Sequence, residues 1–469
     1  MAAAGGVIRP QGRKRTSPRG GRSVVLPASQ SVTDMTKPKL VLIHPSPDKD
    51  RLISRRRTKS SVAQLNLPIL AAHADDRFDV RILDENVEEI NFDAIDADLV
   101  GISLMTCTAL RGYEIADGFR RRGVKVILGG MHVFFLQDEA LEHADAIVIG
   151  EAEYAWNDLL DDFFAGRLQR SYRAAKLHDL AGLPRPRLDL LKPGAYSFAN
   201  VVETSRGCPN RCNYCAVTEF WGSKFRFRPV EEVIDEIKAL PPGDLLFIDD
   251  NMFGHSERSK ELFRALIPLK RRWVGQGDLR LARDPELLEL AARSGCKWLF
   301  MGFETTSVEN LRSLGKAKLN RAPEYEQSIS TIHRSGIKIL GSFMFGLDND
   351  GPDVFDRTLD FCIGNRLECA NFYVLTPLPG TKLFDEMKAN DRIEHFNWSR
   401  YDANHVVIRP AHMSKKELTE GYIRTYRAFY SMRSIARRAL ATRRDKIHTV
   451  VMNIGRKLNA RYFEEGCRL

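Results

Sequence analysis

Short apolar runs recur from residue 40 onward, at 40–44, 80–83, 99–104, 124–128 and 146–149, with helix-patterned stretches such as 109–122 between them. Runs of this kind read as strands, and their alternation with helices implies βαβ units in a parallel, doubly wound sheet. Ligands of such sheets bind beyond the carboxyl ends of the strands. A stretch containing Pro184, Pro186 and Pro193 breaks the pattern and reads as a linker. Six further strand candidates follow, at 199–202, 245–248, 273–277, 298–301, 337–345 and 371–374, with helices such as 230–240 and 285–294 in the gaps. Repeated β/α units with a site at the carboxyl edge suggest a barrel or partial barrel. Beyond Lys388 the chain turns helical, with Ser414 and Glu417 forming a capping box ahead of a long basic helix.

A chain of 469 residues with 43% hydrophobic and 9% aromatic content can build real cores. The length alone suggests about three domains. No apolar run approaches the ~20 residues that cross a bilayer, and the first residues lack the apolar centre of a secretory signal, so a soluble, cytoplasmic protein is expected. The net charge of +10 is concentrated at the ends. Residues 1–33 hold six Arg/Lys and no acid, residues 431–469 hold ten against three acids, and the body between is slightly acidic. A basic groove for nucleic acid is therefore not supported. Residues 426–444 mix Phe429, Tyr430, Met432, Ile435 and Leu440 with six arginines. Such a helix can lie on an anionic membrane, although a helix packed on the barrel with a solvated outer face is the simpler reading.

Of the eight cysteines, Cys107, Cys296, Cys362, Cys369 and Cys467 are scattered, as reduced intracellular thiols are. The other three, Cys208, Cys212 and Cys215, form a CxxxCxxC run. Thiolates are the usual ligands of iron–sulfur clusters and a four-iron cubane normally takes four. Three close cysteines with no evident fourth leave one iron open to an exchangeable ligand. A structural zinc site would instead show a complete set of four Cys or His ligands, and no second CxxC follows.

The run Glu203-Thr-Ser-Arg-Gly-Cys208-Pro-Asn-Arg-Cys212-Asn-Tyr214-Cys215, with an aromatic residue before the third cysteine, resembles the radical SAM superfamily. The resemblance implies a [4Fe-4S] cluster whose open iron is chelated by S-adenosylmethionine (SAM), which an electron from the cluster cleaves to a 5′-deoxyadenosyl radical. The strand ends of the first sheet carry Ser103 and Thr106, then Gly129-Gly130-Met-His132, then Gly150-Glu151-Ala-Glu153. In that order they resemble the cobalamin-binding domain that precedes the radical SAM domain in one subgroup, which makes Ser103, Thr106, Gly129, Gly130, His132, Gly150 and Glu151 cofactor-binding candidates. The DxHxxG loop that supplies a cobalt-ligating histidine in many cobalamin proteins is absent, since residues 44–50 read His-Pro-Ser-Pro-Asp-Lys-Asp. In the second series Asp249 and Asp250, Gln276 with Arg280, Glu304 in a Met-Gly-Phe-Glu setting, and Gly346 stand at strand ends as candidate contacts for SAM and substrate. A carboxylate there can accept hydrogen bonds from ribose hydroxyls or the SAM ammonium. An ion pair for Glu304, and helix capping for the aspartates, are the alternatives.

The implied architecture is α/β: a basic tail at 1–37, disordered in expectation; a doubly wound, Rossmann-like cobalamin-binding domain at 38–165; a linker at 166–195; a (β/α)6 partial TIM barrel at 196–390; and a C-terminal helical basic region at 391–469. The implied activity is methylation of an unactivated carbon of a small-molecule or lipid-like substrate, with [4Fe-4S], SAM and cobalamin as cofactors and flavodoxin or ferredoxin as electron donor. Oxidation, cyclisation or rearrangement on the same architecture, as in the anaerobic magnesium-protoporphyrin ester cyclase group, is the alternative. A tRNA methylthiotransferase would need three further N-terminal cysteines, and residues 38–155 hold only Cys107. An iron–sulfur scaffold without catalysis would not need the strand-edge motifs.

Overall fold

The computed structural model describes residues 37–47, 62–174, 176–441, 447 and 449–458. The tail before Lys37, residues 48–61 after the first strand, and Cys467 lie outside them. Strands β1 (Lys39–His44), β2 (Asp79–Asp84), β3 (Leu99–Ser103), β4 (Lys125–Gly129), β5 (Ala146–Ile149) and β6 (Ser171–Arg173) form a parallel sheet in the order β2-β1-β3-β4-β5-β6. Both faces are covered. Val41, Ile43, Val100, Ile102, Val126 and Leu128 point into one core, and Leu40, Leu42, Leu99, Ile127 and Val148 into another. Burial on both sides is why these strands appear in the sequence as continuous apolar runs. β6 lies inside the stretch expected to be a linker; its only buried residue is Tyr172, so an edge strand of three residues leaves no hydrophobic signature. Because β1 sits between β2 and β3, the winding reverses there and opens a crevice beyond their carboxyl ends.

The second half begins with β7 (Val201–Val202), β8 (Ser205–Arg206) and β9 (Arg226–Phe227), followed by β10 (Leu245–Phe247), β11 (Trp273–Gly277), β12 (Cys296–Glu304), β13 (Lys338–Phe345) and β14 (Cys369–Val374). Six of these form a parallel sheet whose spatial order, β14-β13-β12-β11-β10-β7, is the chain order. Helices Val230–Ala239, Ser256–Leu266, Pro285–Arg293, Tyr325–Arg334 and Val354–Gly364 connect successive strands. This is a β/α barrel sequence left open between β7 and β14. Stacked rings, Phe303 on Phe343 at 5.3 Å and Phe345 on Phe372 at 5.8 Å, fill the layer between these strands and their helices, where Tyr325, Phe361 and Phe355 meet them. β8 and β9 stand apart as an antiparallel ribbon that sequence pattern did not reveal.

The C-terminal helix Lys415–Phe429 starts at the expected capping box of Ser414 and Glu417. It packs on the barrel, where the Tyr430 hydroxyl donates to the Ala370 carbonyl at 2.7 Å. Arg438, one of the six arginines of the basic stretch, is fully buried and donates to the carbonyls of Leu367, Glu368 and Phe429. Among the described residues no helix is long and apolar enough to cross a membrane.

The described residues from Pro38 onward form one compact unit, and the carboxyl-edge loops of the two sheets rest on each other. Phe134, after β4, meets Phe220 edge-on at 5.1 Å. Glu139 accepts from the Trp398 indole at 3.0 Å. Glu151 and Glu153, after β5, pair with Arg226 and Arg206 of the ribbon.

Candidate active site

The three cysteines lie on the loop between β8 and helix Val217–Trp221. Asp249, at the end of β10, pins the start of that loop. Its buried carboxylate accepts from the Thr204 amide at 3.1 Å, the Thr204 hydroxyl at 2.7 Å and the Ser205 hydroxyl at 2.6 Å. Gly207 follows with φ +87°, and a Cβ there would strike the Lys224 carbonyl. Further along, the Asn213 amide donates to the Leu314 carbonyl at 3.2 Å and the Asn213 carbonyl accepts from the Leu383 amide at 2.9 Å. The loop is therefore held by β10, by residues 313–316 and by the helix Lys382–Ala389.

Cys208, Cys212 and Cys215 are unpaired and half-buried. Burial pushes all three thiols above the usual range, Cys215 to about 12. Such thiols need a metal to become thiolates. Among the described residues no three His, Cys, Asp or Glu side chains converge as ligands of a single ion. A cubane takes one thiolate per iron, and the three cysteines of this one loop would hold three of its irons.

Charged groups line the neighbouring strand ends. Burial raises the Asp250 carboxyl to about 7, and Asp249 and Glu203 add to the shift. Glu203 is itself raised to about 7 by burial, against the pull of Arg206. Arg280 chelates Asp278, which also accepts from Asn251 at 2.8 Å. Gln276 is half-buried at the end of β11. Glu304 is buried with φ +65° and paired to Lys316. Burial opposes the Lys316 charge, but Glu304 more than offsets this and holds its pKa above the usual lysine value. The amide of Gly346, a candidate contact for SAM and substrate, donates to Asp350 at 3.0 Å, so it is not available to a ligand in this arrangement.

At the first sheet, Gly130 has φ +98°, and a Cβ there would lie 2.6 Å from the Leu104 carbonyl oxygen. This close approach lets the Leu104 amide donate to Gly129 and the His132 amide donate to Leu104. Ser103 accepts from Asn66 at 2.7 Å, Thr106 is buried, and Met105 beside it is 54% exposed in the crevice. A Cβ on Gly150 would meet only the Phe134 ring, at 3.9 Å, so that turn stays open. His132 does not face the crevice. Its ring is fully buried against Glu139 at 3.2 Å and edge-on to Trp398 at 5.5 Å. His44 is buried as well. Glycine backbone, hydroxyls and an apolar side chain stand at this edge, groups that would suit the face of a corrin. Glu151 points away from the crevice, into its pair with Arg226.

Sequence reading missed Lys316, Arg206, Arg226, Glu139 and Trp398. Their importance comes from partners 12 to 259 residues away, and no local pattern marks such pairs.

The profile of the Radical SAM superfamily matches residues 202–362 and that of the B12 binding domain matches residues 54–160. The chain is 34% identical over 385 residues to bacteriochlorophyllide d C-12(1)-methyltransferase of Chlorobaculum tepidum, covering 80% of this chain and 84% of that protein. It is 26% identical to the anaerobic magnesium-protoporphyrin IX monomethyl ester cyclase of Cereibacter sphaeroides, over 66% of this chain and 55% of that one. The fold matches that of the radical SAM methyltransferase TsrM from Kitasatospora setae, with a TM-score of 0.60, 17% identity, and coverage of 76% of this chain and 75% of that chain. The cofactors are accordingly an iron–sulfur cluster, SAM and cobalamin. The chain belongs to the radical SAM superfamily, in the branch that carries a B12-binding domain ahead of the radical SAM domain.

Proposed function

We propose that this enzyme methylates an unactivated carbon on a tetrapyrrole. Radical SAM methylation at carbon follows from the two domains and their methyltransferase relatives. The tetrapyrrole extends to this chain what two relatives act on, a bacteriochlorophyllide and a magnesium-protoporphyrin ester. One observation carries the reading: the carboxyl edges of the two sheets are joined by Glu151–Arg226, Glu153–Arg206 and Glu139–Trp398, so a substrate between the edges is within reach of both cofactor sites. When bound, the cluster with SAM supplies a 5′-deoxyadenosyl radical and cobalamin supplies a methyl group. Cys208, Cys212 and Cys215 would hold the cluster. Asp250, Gln276 and Arg280 would contact SAM and substrate, and Ser103, Thr106, Gly129, Gly130 and Gly150 would bear the corrin. Asp249, His132 and Glu151 act through the side chains they position, and Gly346 through the turn that Asp350 fixes.

The test is anaerobic turnover of the reconstituted chain with deuteromethyl SAM, cobalamin, a low-potential flavodoxin or ferredoxin and a panel of magnesium chlorins. A product carrying the deuteromethyl group, together with deoxyadenosine, is expected. Deoxyadenosine with an oxidised, unmethylated product would favour the cyclisation alternative. A Cys212→Ala variant as active as wild type would sink the proposal.

The C-terminal helices suit contact with an anionic membrane where such substrates partition. Met432, Leu440, Ile447 and Val451 are exposed, and Arg433, Arg437 and Lys457 stand among them. Flotation with anionic but not neutral vesicles is expected, and equal flotation with both, or with neither, removes this contact.

A further inference from the structure

Lys316 is a buried cation set against the cysteine loop. Its ammonium pairs with the Glu304 carboxylate and lies 3.4 Å from the hydroxyl of Tyr214, the residue between Cys212 and Cys215 in the loop. The backbone places it there. Residues 313–316 lie along the loop, with the Asn213 side-chain amide donating to the Ser313 carbonyl at 3.1 Å. A Cβ on Gly315 would stand 3.9 Å from the Cys212 Cα. On the other side a Cβ on Gly302 would meet the Glu304 carboxylate and come within 2.8 Å of the Lys316 ammonium, so only glycine lets β12 pass beneath the pair.

Two features set this pair apart from a packing contact. Glu304 holds a left-handed backbone conformation, which is strained for a non-glycine residue and clusters at functional sites. Both partners are also nearly solvent-free, at 7% and 8% exposure. A buried ion pair is often no more stabilising than apolar residues of the same volume, so stability does not explain it. A charge at low effective dielectric beside a redox centre acts on that centre strongly, and surrounding charge and hydrogen bonds are among the levers that set iron–sulfur potentials.

We propose that the Glu304–Lys316 pair sets the reduction potential of the cluster held by Cys208, Cys212 and Cys215, the ammonium favouring the reduced form and the carboxylate limiting that effect. The inference rests on the reading that these cysteines hold a four-iron cluster. Reduction adds one electron from an external low-potential donor, and no bond is made or broken in that step. The added negative charge is stabilised by Lys316 and opposed by Glu304, so removing each partner should move the potential in opposite directions.

The experiment is a reductive titration of the anaerobically reconstituted full chain with dithionite and viologen mediators, followed by electron paramagnetic resonance. SAM is omitted so that no electron leaves for the sulfonium. Lys316→Met should lower the reduced-to-oxidised ratio at a fixed potential by about tenfold, a shift of about 59 mV for a one-electron couple. Glu304→Gln should raise the ratio by a similar factor, and Lys316→Arg should leave it near wild type. Unchanged potentials in both Lys316→Met and Glu304→Gln, or shifts of the same sign, would overturn the inference. Should Lys316→Met fail to fold, the sign of the Glu304→Gln shift still decides. A wild-type chain that takes up no cluster would instead refute the reading beneath it.

Discussion

The two halves of this enzyme are both parallel α/β sheets, yet they present different edges. The first, with its order reversed at β1, offers a crevice of glycines, hydroxyls and an exposed Met105. The second runs in chain order and crowds its strand ends with ionisable groups, Asp249, Asp278, Glu304 and Lys316 buried and Glu203 and Asp250 half-buried. A large flat macrocycle needs room and shape, and glycine supplies both by allowing close approach. A site for an anionic cluster and a zwitterionic ligand needs charges fixed in advance, because fixed dipoles and charges cost no reorganisation during reaction. The same architecture thus serves two cofactors through what stands at the strand ends.

The sharpest way to separate the halves is Gly130→Val. A β-branched side chain at φ +98°, with its Cβ about 2.6 Å from the Leu104 carbonyl, should disrupt the first edge by roughly 2–4 kcal/mol. Cobalamin retention after gel filtration should fall at least tenfold while iron content stays at the wild-type level. Loss of both together would show that the two sites are not independent.

Glu153→Gln acts where the halves join. It removes one of the carboxylates around the buried Arg206 guanidinium and leaves Glu151 and Glu203. A loss of about 1–3 kcal/mol in urea unfolding is expected, with deoxyadenosine formed in excess over methylated product as the loop shifts against the first sheet. A wild-type product ratio would mean that the ion pairs stabilise the joint without aligning it.

The smallest effect lies in the second half alone. Burial raises the Asp350 carboxyl to about 6, although the Gly346 and Leu347 amides and Asn310 pull it down. The folded protein therefore holds this proton more tightly than the unfolded chain. The resulting stability is present below about pH 4 and is lost as pH rises through about 6, amounting to about 1 kcal/mol between pH 5 and 7. Asp350→Asn should flatten that part of the stability profile, and an unaltered slope would assign the pH dependence to other groups.

Much of the fold was legible in the sequence because strands covered on both faces leave continuous apolar runs, as at β1, β3, β4 and β5. β6 was not, since one buried tyrosine in three residues gives no period to read. Within the site, the cysteine spacing was informative because ligands of one cluster sit close along the chain. His132 and Glu151 were placed at the correct strand ends, but their side chains turned elsewhere, to Glu139 and Arg226. Strand position fixes where a residue stands, and rotamer and neighbours fix where it points.

The sequence by itself determined the triad Cys208, Cys212 and Cys215, the two series of β/α units and their order, and so the class of chemistry. These are local or periodic features, written in spacing along one chain. Only the tertiary structure decided which charges meet. Lys316 reaches Glu304 and Tyr214, Arg206 reaches Glu153, and Trp398 reaches Glu139. Pairing across 12 to 259 residues depends on how strands are ordered and loops close, and a charged residue in a loop carries the same local signature whether it faces water or a cluster.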